Sequence, residues 1–168
     1  MTSITFLLDR SGSMNDCRGD VVGGFNSFVK DQNPESRITL IQFDHEYTVS
    51  YSDVSVSDIS PLTFETYSPR GSTSLLDAIG KMLKQTKGPR IVVIFTDGLE
   101  NSSKIYTKAH IKDLIDERQR KGWTFIYMGA NQDSFSEAGS IGIQSAFNYD
   151  VAHTVDAFAA LSATVSQC

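Results

Sequence analysis

Apolar runs of strand length, each bounded by polar turn residues, recur at Ile4–Leu8, Arg37–Phe43, Tyr47–Tyr51, Ile91–Phe95, Thr124–Met128 and Ser145–Asn148. Between most of them the apolar spacing changes to that of a helix. Val21, Val22, Phe25, Phe28 and Val29 share one helical face, with Asn15 or Asp16 placed to cap its start. Leu75, Leu76, Ile79, Met82 and Leu83 form a second face, and Gly88-Pro89 stops that helix before the next strand. Ile111, Leu114 and Ile115 mark a third helix. Ser134-x-x-Glu137 has the spacing of a capping box and opens a short fourth toward Ile141, and Val155, Phe158 and Val165 mark a fifth at the C-terminal end.

Strands that alternate with helices predict an α/β fold. The expected form is a three-layer, doubly wound, mainly parallel six-stranded sheet with helices on both faces, Rossmann-like in outline. Ile91-Val92-Val93-Ile94-Phe95 is apolar without interruption and suits a central strand buried on both sides. Asp44-His45-Glu46 is too short for a helical crossover, so the second and third strands should form a hairpin with Tyr47–Tyr51 as an antiparallel edge. The stretch 52–70, rich in Ser, Thr and Pro, is the longest irregular segment. With 168 residues, 40% of them hydrophobic, one core and a single domain over 1–168 are expected.

Charge narrows the partners. A net charge of −5 argues against nucleic acid, whose phosphates call for a basic face. The densest basic stretch, Lys104 to Lys121, is diluted by Asp113, Asp116 and Glu117 and reads as a solvated helix face. Ile4–Leu8 is too short for the apolar core of a secretory signal, and no run reaches membrane-spanning length. The expectation is a cytoplasmic protein of a bacterial cell or a phage-infected host, with no membrane partner. Cys17 and Cys168, far apart in sequence, are then expected as two free thiols in a reducing compartment, with a disulfide between them as the alternative in an oxidising one.

Chemistry concentrates at strand ends. In open α/β sheets ligands bind beyond the carboxyl ends of the strands, and two strands here end in aspartate. The first leads into Asp9-Arg10-Ser11-Gly12-Ser13 and the fourth into Thr96-Asp97-Gly98. Gly12 allows a tight turn that points Ser11 and Ser13 toward the aspartates, and Gly71-Ser72-Thr73 brings a further hydroxyl at the start of the second helix. The candidate metal ligands are therefore Asp9, Ser11, Ser13, Thr73 and Asp97. All their donor atoms are oxygen, which suits Mg²⁺ and tolerates Mn²⁺ or Ca²⁺, whereas zinc and copper favour His or Cys. Two carboxylates and three neutral hydroxyls leave a divalent cation with positive character, so an Asp or Glu of a partner protein can complete its shell. His45, His110 and His153 are isolated from one another and carry no expected zinc role. Arg10 and Arg70 stand beside the motif, either to meet an acidic ligand or to face solvent. Trp123 reads as core. Asp133 and Glu100-Asn101 should share the metal face.

With these residues in place the sequence resembles the von Willebrand factor type A domain, the fold of the inserted domains of integrins. Asp9-x-Ser11-x-Ser13, Thr73 within Gly71-Ser72-Thr73-Ser74-Leu75, and Thr96-Asp97-Gly98 match in order and spacing that family's metal-ion-dependent adhesion site. The resemblance implies direct metal contact by Ser11, Ser13 and Thr73, with Asp9 and Asp97 acting directly or through water. It implies adhesion rather than catalysis. A second likeness, over Gly129-Ala130-Asn131-Gln132-Asp133 and Gly139-Ser140-Ile141-Gly142-Ile143, is to compact stand-alone bacterial and phage members.

Two other readings share the sheet. A Mg²⁺-dependent phosphohydrolase would use Asp9 as nucleophile, but haloacid dehalogenase-like enzymes carry an acid two residues on, where this chain has Ser11. A dinucleotide-binding fold would need a Gly-x-Gly-x-x-Gly turn after the first strand, and acidic and hydroxyl residues stand there instead. The oligomeric state is not encoded in any of these motifs.

Overall fold

The computed structural model describes residues 2–96, 100–130, 134–149 and 154–166. In chain order the elements are β1 (Ser3–Asp9), α1 (Arg18–Lys30), β2 (Arg37–Phe43), β3 (Tyr47–Ser55), α2 (Leu75–Gln85) and β4 (Ile91–Thr96). There follow α3 (Lys108–Arg120), β5 (Thr124–Ala130), α4 (Ser134–Ser140), β6 (Ser145–Tyr149) and α5 (Thr154–Ser166). The six strands form one sheet in the order β3-β2-β1-β4-β5-β6. All pairings are parallel except β2 with β3, which makes β3 the antiparallel edge. This is the mixed, doubly wound α/β sheet that the pattern of apolar runs predicts.

The pleat sorts each strand's side chains between two layers. Ile4, Phe6 and Leu8 of β1 pack with Val21, Phe25 and Phe28 of α1 and Phe158, Leu161 and Val165 of α5. Leu7 faces the other way, toward Ile79 and Met82 of α2 and Ile111 and Ile115 of α3. β4 is buried at every position, as a strand covered on both sides must be. From β1 the chain winds outward to β2 and β3, then returns to the other flank of β1 as β4. The order therefore reverses between β1 and β4, and their carboxyl ends open onto the crevice where such sheets bind ligands.

Local details depart from the expected boundaries. α1 starts at Arg18 with Cys17 at its N-cap position, not at Asn15 or Asp16, because a 3-10 helix over Gly12–Cys17 comes first. Its three-residue period puts Met14 and Cys17 together on the buried side, and core anchoring there outweighs a side-chain cap. β3 runs on to Ser55: register shifts around Leu40 place extra residues on β3, one of them Asp53 in the left-handed region at φ 51°. Bulges of this kind break strict alternation, which is why the strand's second half lacks a strand pattern. α2 ends at Gln85, short of Gly88, which makes the turn into β4 at φ 85°.

The helix α4 starts at Ser134, the residue that the expected capping box Ser134-x-x-Glu137 would place at the N-cap, and the residue before it, Asp133, lies outside the described residues. Trp123 is buried, as is Cys17, whose thiol donates to the Met14 carbonyl at 3.5 Å, and Cys168 and His153 lie outside the described residues. Among the described residues no helix is long and apolar enough to cross a membrane.

Candidate metal centre

β1 ends in Phe6-Leu7-Leu8, all at 0% exposure, and this anchored run presents Asp9 at the crevice, itself fully buried. A carboxylate there must be hydrogen-bonded. Its Oδ1 accepts the Ser11 backbone N–H at 2.6 Å, and its Oδ2 accepts the Thr96 hydroxyl at 2.6 Å. Thr96 is the last residue of β4, so this bond ties the ends of the two central strands together. The backbone carbonyl of Asp9 accepts the hydroxyl of buried Tyr67 at 2.7 Å.

Ser11, 2% exposed, places its Oγ 3.3 Å from the Oγ of Ser13, so the two hydroxyls converge on one spot. The Gly12 N–H donates to the Gly71 carbonyl at 3.0 Å and joins this loop to the one that carries Thr73. Gly71 is required there: its φ is 72°, and a Cβ would stand 2.3 Å from the His45 ring.

Thr73 is 3% exposed and is held on both backbone sides by the loop that follows β4. Its N–H donates to Asn101 Oδ1 at 2.9 Å, and its carbonyl accepts from Asn101 N at 3.0 Å and Ser102 N at 3.1 Å. The same loop caps α2 from outside, because Ser74 makes no side-chain cap bond. Leu76 N–H donates to Glu100 Oε1 at 3.3 Å and Asp77 N–H to Ser103 Oγ at 3.0 Å. Asp77 in turn accepts the backbone N–H groups of Lys104, Ile105 and Tyr106 at 2.8 to 3.0 Å. Asp97, in the segment between Thr96 and Glu100, lies outside the described residues, as does Asp133.

A buried carboxylate braces the two loops from below. Asp44, at 0% side-chain exposure, accepts Arg10 Nε at 3.3 Å, Arg70 Nε at 2.9 Å and the Glu46 N–H at 2.6 Å. Its carbonyl accepts the Ser74 N–H at 2.8 Å. Burial pushes its carboxyl up, but the Glu46 amide and the two guanidinium groups outweigh that and hold it below the usual 3.8. Arg10 and Arg70 are thus structural ties, where the motif alone left ligand contact or solvent exposure open.

The described donor set suits a hard cation: a buried carboxylate and three hydroxyls, two of which belong to nearly buried residues. No group of three or more His, Cys, Asp or Glu side chains that could hold a metal occurs among the described residues. His45 sits between Asp44 and Glu46 at 3.8 and 3.5 Å, and His110 packs on Tyr106. The motif names the candidate ligands but not their supports, Tyr67, Asp44, Thr96 and Asp77. Only Thr96 carried a signal, as the residue before Asp97.

The fold recurs in solved structures. The vWF domain of a type V pilus tip protein from Porphyromonas gingivalis superposes with a TM-score of 0.73 at 12% identity, covering 98% of this chain and 95% of that one. Proximal thread matrix protein 1 from the mussel byssus, in a crystal with a zinc-occupied metal-ion-dependent adhesion site, gives 0.70 at 14% identity, covering 98% and 45%. A von Willebrand factor type A protein from Catenulispora acidiphila gives 0.68 at 13% identity, covering 96% and 42%. This chain therefore spans under half the length of the mussel and Catenulispora proteins. No curated protein matches it significantly in sequence. The family model for the von Willebrand factor type A domain matches residues 3–167, and the chain belongs to that family.

Proposed function

We propose that residues 1–168 act as a single metal-dependent protein-binding domain. In this reading Asp9, Ser11, Ser13, Thr73 and Asp97 hold one divalent cation, Mg²⁺ in the first instance, with Mn²⁺ or Ca²⁺ tolerated. The carrying observation is the convergence of the Ser11 and Ser13 hydroxyls beside buried Asp9, on a loop tied by Gly12 to the Thr73 loop. The cation would supply a Lewis-acidic position for a carboxylate of the partner. The protein's own part is preorganisation: Thr96 and Tyr67 fix Asp9, Asn101 fixes Thr73, and Asp44 fixes the loops that bear them.

Binding is favoured over hydrolysis by the residue two on from Asp9: Ser11 stands where a haloacid dehalogenase-like phosphohydrolase carries the acid that donates a proton to the leaving group. The family supplies the wider expectation of an interaction module. The zinc found in the mussel protein's adhesion site makes Zn²⁺ a worthwhile fourth ion to assay.

Immobilised protein should capture a partner in Mg²⁺ and release it to EDTA, while Asp9→Ala, still folded by circular dichroism, should capture none. Equal capture in excess chelator, or by the folded Asp9→Ala variant, would reject the reading.

A further inference from the structure

A cavity of about 450 Å³ runs along α2 beside the metal centre. It begins at Ser74, the residue after Thr73, and at His45, which packs against Gly71. Lys81 and Lys84 line its far part, one helical turn apart on the same face of α2. The Lys81 Nζ lies 4.6 Å from the centre of the Tyr47 ring and the Lys84 Nζ 5.7 Å from that of Tyr106, so each ammonium rests on an aromatic face. Neither forms an ion pair with a carboxylate among the described residues.

The two acids of the groove are already engaged. Glu46 pairs with Arg70 at 3.2 Å, and Asp77 spends its oxygens on three backbone N–H groups. In a chain of net charge −5, this leaves two cations together with no acidic partner of their own. The wall opposite is also unusual. Ile105 is 77% exposed, yet its backbone is pinned by Asp77, so an apolar side chain is held out toward solvent on a fixed support.

We propose that the groove receives the partner segment that reaches the metal centre. The segment is an extended acidic peptide with a second Asp or Glu, which pairs with Lys81 and Lys84, and an apolar residue between the two acids that covers Ile105. The proposal rests on the metal-binding reading above and adds the partner's chemistry to it. Helical rise sets the spacing: at about 1.5 Å per residue, Lys81 and Lys84 stand about 9 and 14 Å beyond Leu75. An extended chain advances about 3.3 Å per residue, so the second acid falls about three to four residues from the first.

The test is selection from a random phage-displayed peptide library on the wild-type protein in Mg²⁺, with elution by EDTA. The expected pool carries two acids at that spacing with an apolar residue between them. A synthetic peptide of the enriched sequence should bind Lys81→Glu/Lys84→Glu about tenfold or more weakly by fluorescence anisotropy, with Mg²⁺ affinity unchanged. Changing its second acid to Gln should cost the wild type a similar factor and abolish its response to the lysine changes. Enrichment of single-acid peptides, or full affinity in the double variant, would overturn the groove proposal and leave the metal reading intact. No EDTA-eluted peptide, or equal binding of the peptide to Asp9→Ala, would overturn both.

Discussion

Asp44→Ala is expected to cost about 3 kcal/mol of folding stability, the low end for removing one partner of a buried ion pair, because Arg70 is half exposed and screened. In a chain of this size that lowers Tm by roughly 6–12 °C. The loss has three parts. The Arg10 guanidinium, only 12% exposed, keeps its charge without its carboxylate. The Glu46 N–H loses its 2.6 Å acceptor. The brace between the Arg10 and Arg70 loops disappears, so metal affinity should fall along with stability.

Acid provides an independent check. The Asp44 carboxyl in the folded chain sits below its ordinary 3.8, so ionised Asp44 stabilises the fold above that value, and the contribution is lost as pH falls through the lower, folded-state pKa. Urea denaturation of wild type and Asp44→Asn should therefore show a constant gap at neutral pH that closes only in strong acid. A gap independent of pH down to strong acid would remove the brace from the account.

Phe6→Ala should be at least as damaging, about 3–5 kcal/mol, as expected for a large aromatic deleted from a close-packed core. Phe6 is 0% exposed at the middle of β1. Its ring meets Phe25 and Phe28 edge-on, at 5.3 and 5.7 Å between centroids. It stacks near Phe95 at 6.3 Å and Phe158 at 6.1 Å, and these two stack on each other at 4.6 Å. One side chain thus joins α1, α5 and two central strands directly beneath the candidate site. Phe6→Leu should recover more than half of the loss in urea denaturation, because it restores most of the apolar volume but none of the ring contacts. If Phe6→Ala cost under about 1 kcal/mol, the cluster would not be the centre of the core.

The sheet was legible because its signals are local. β4 is apolar at every position from Ile91 to Phe95, the helices keep their 3.6-residue spacing, and a three-residue turn can make only a hairpin. Four of the candidate ligands were legible for a related reason: Asp9, Ser11, Ser13 and Thr73 fall after a strand end or before a helix start that periodicity had already located, while Asp97 lies outside the described residues. Their supports were not. Asp44 looks like any turn aspartate, and its two guanidinium partners are 34 and 26 residues away. Tyr67 lies in an irregular stretch, 58 residues from the carbonyl it serves. The start of α1 was misplaced by competition between levels, since buried Met14 and Cys17 impose a 3-10 helix where capping preference alone would begin an α-helix. Pairings between distant residues leave no mark on local pattern.

The central claim is that the loops after β1 and before α2 build a divalent metal site. Isothermal titration calorimetry with Mg²⁺ on the metal-free protein tests it most directly. One binding event per chain is predicted for the wild type, absent in Asp9→Ala and weakened at least about tenfold in Thr73→Val, which keeps the shape of Thr73 but removes its hydroxyl. Mg²⁺ binding of equal strength in both variants, or no binding of Mg²⁺, Mn²⁺, Ca²⁺ or Zn²⁺ to the wild type, would contradict it.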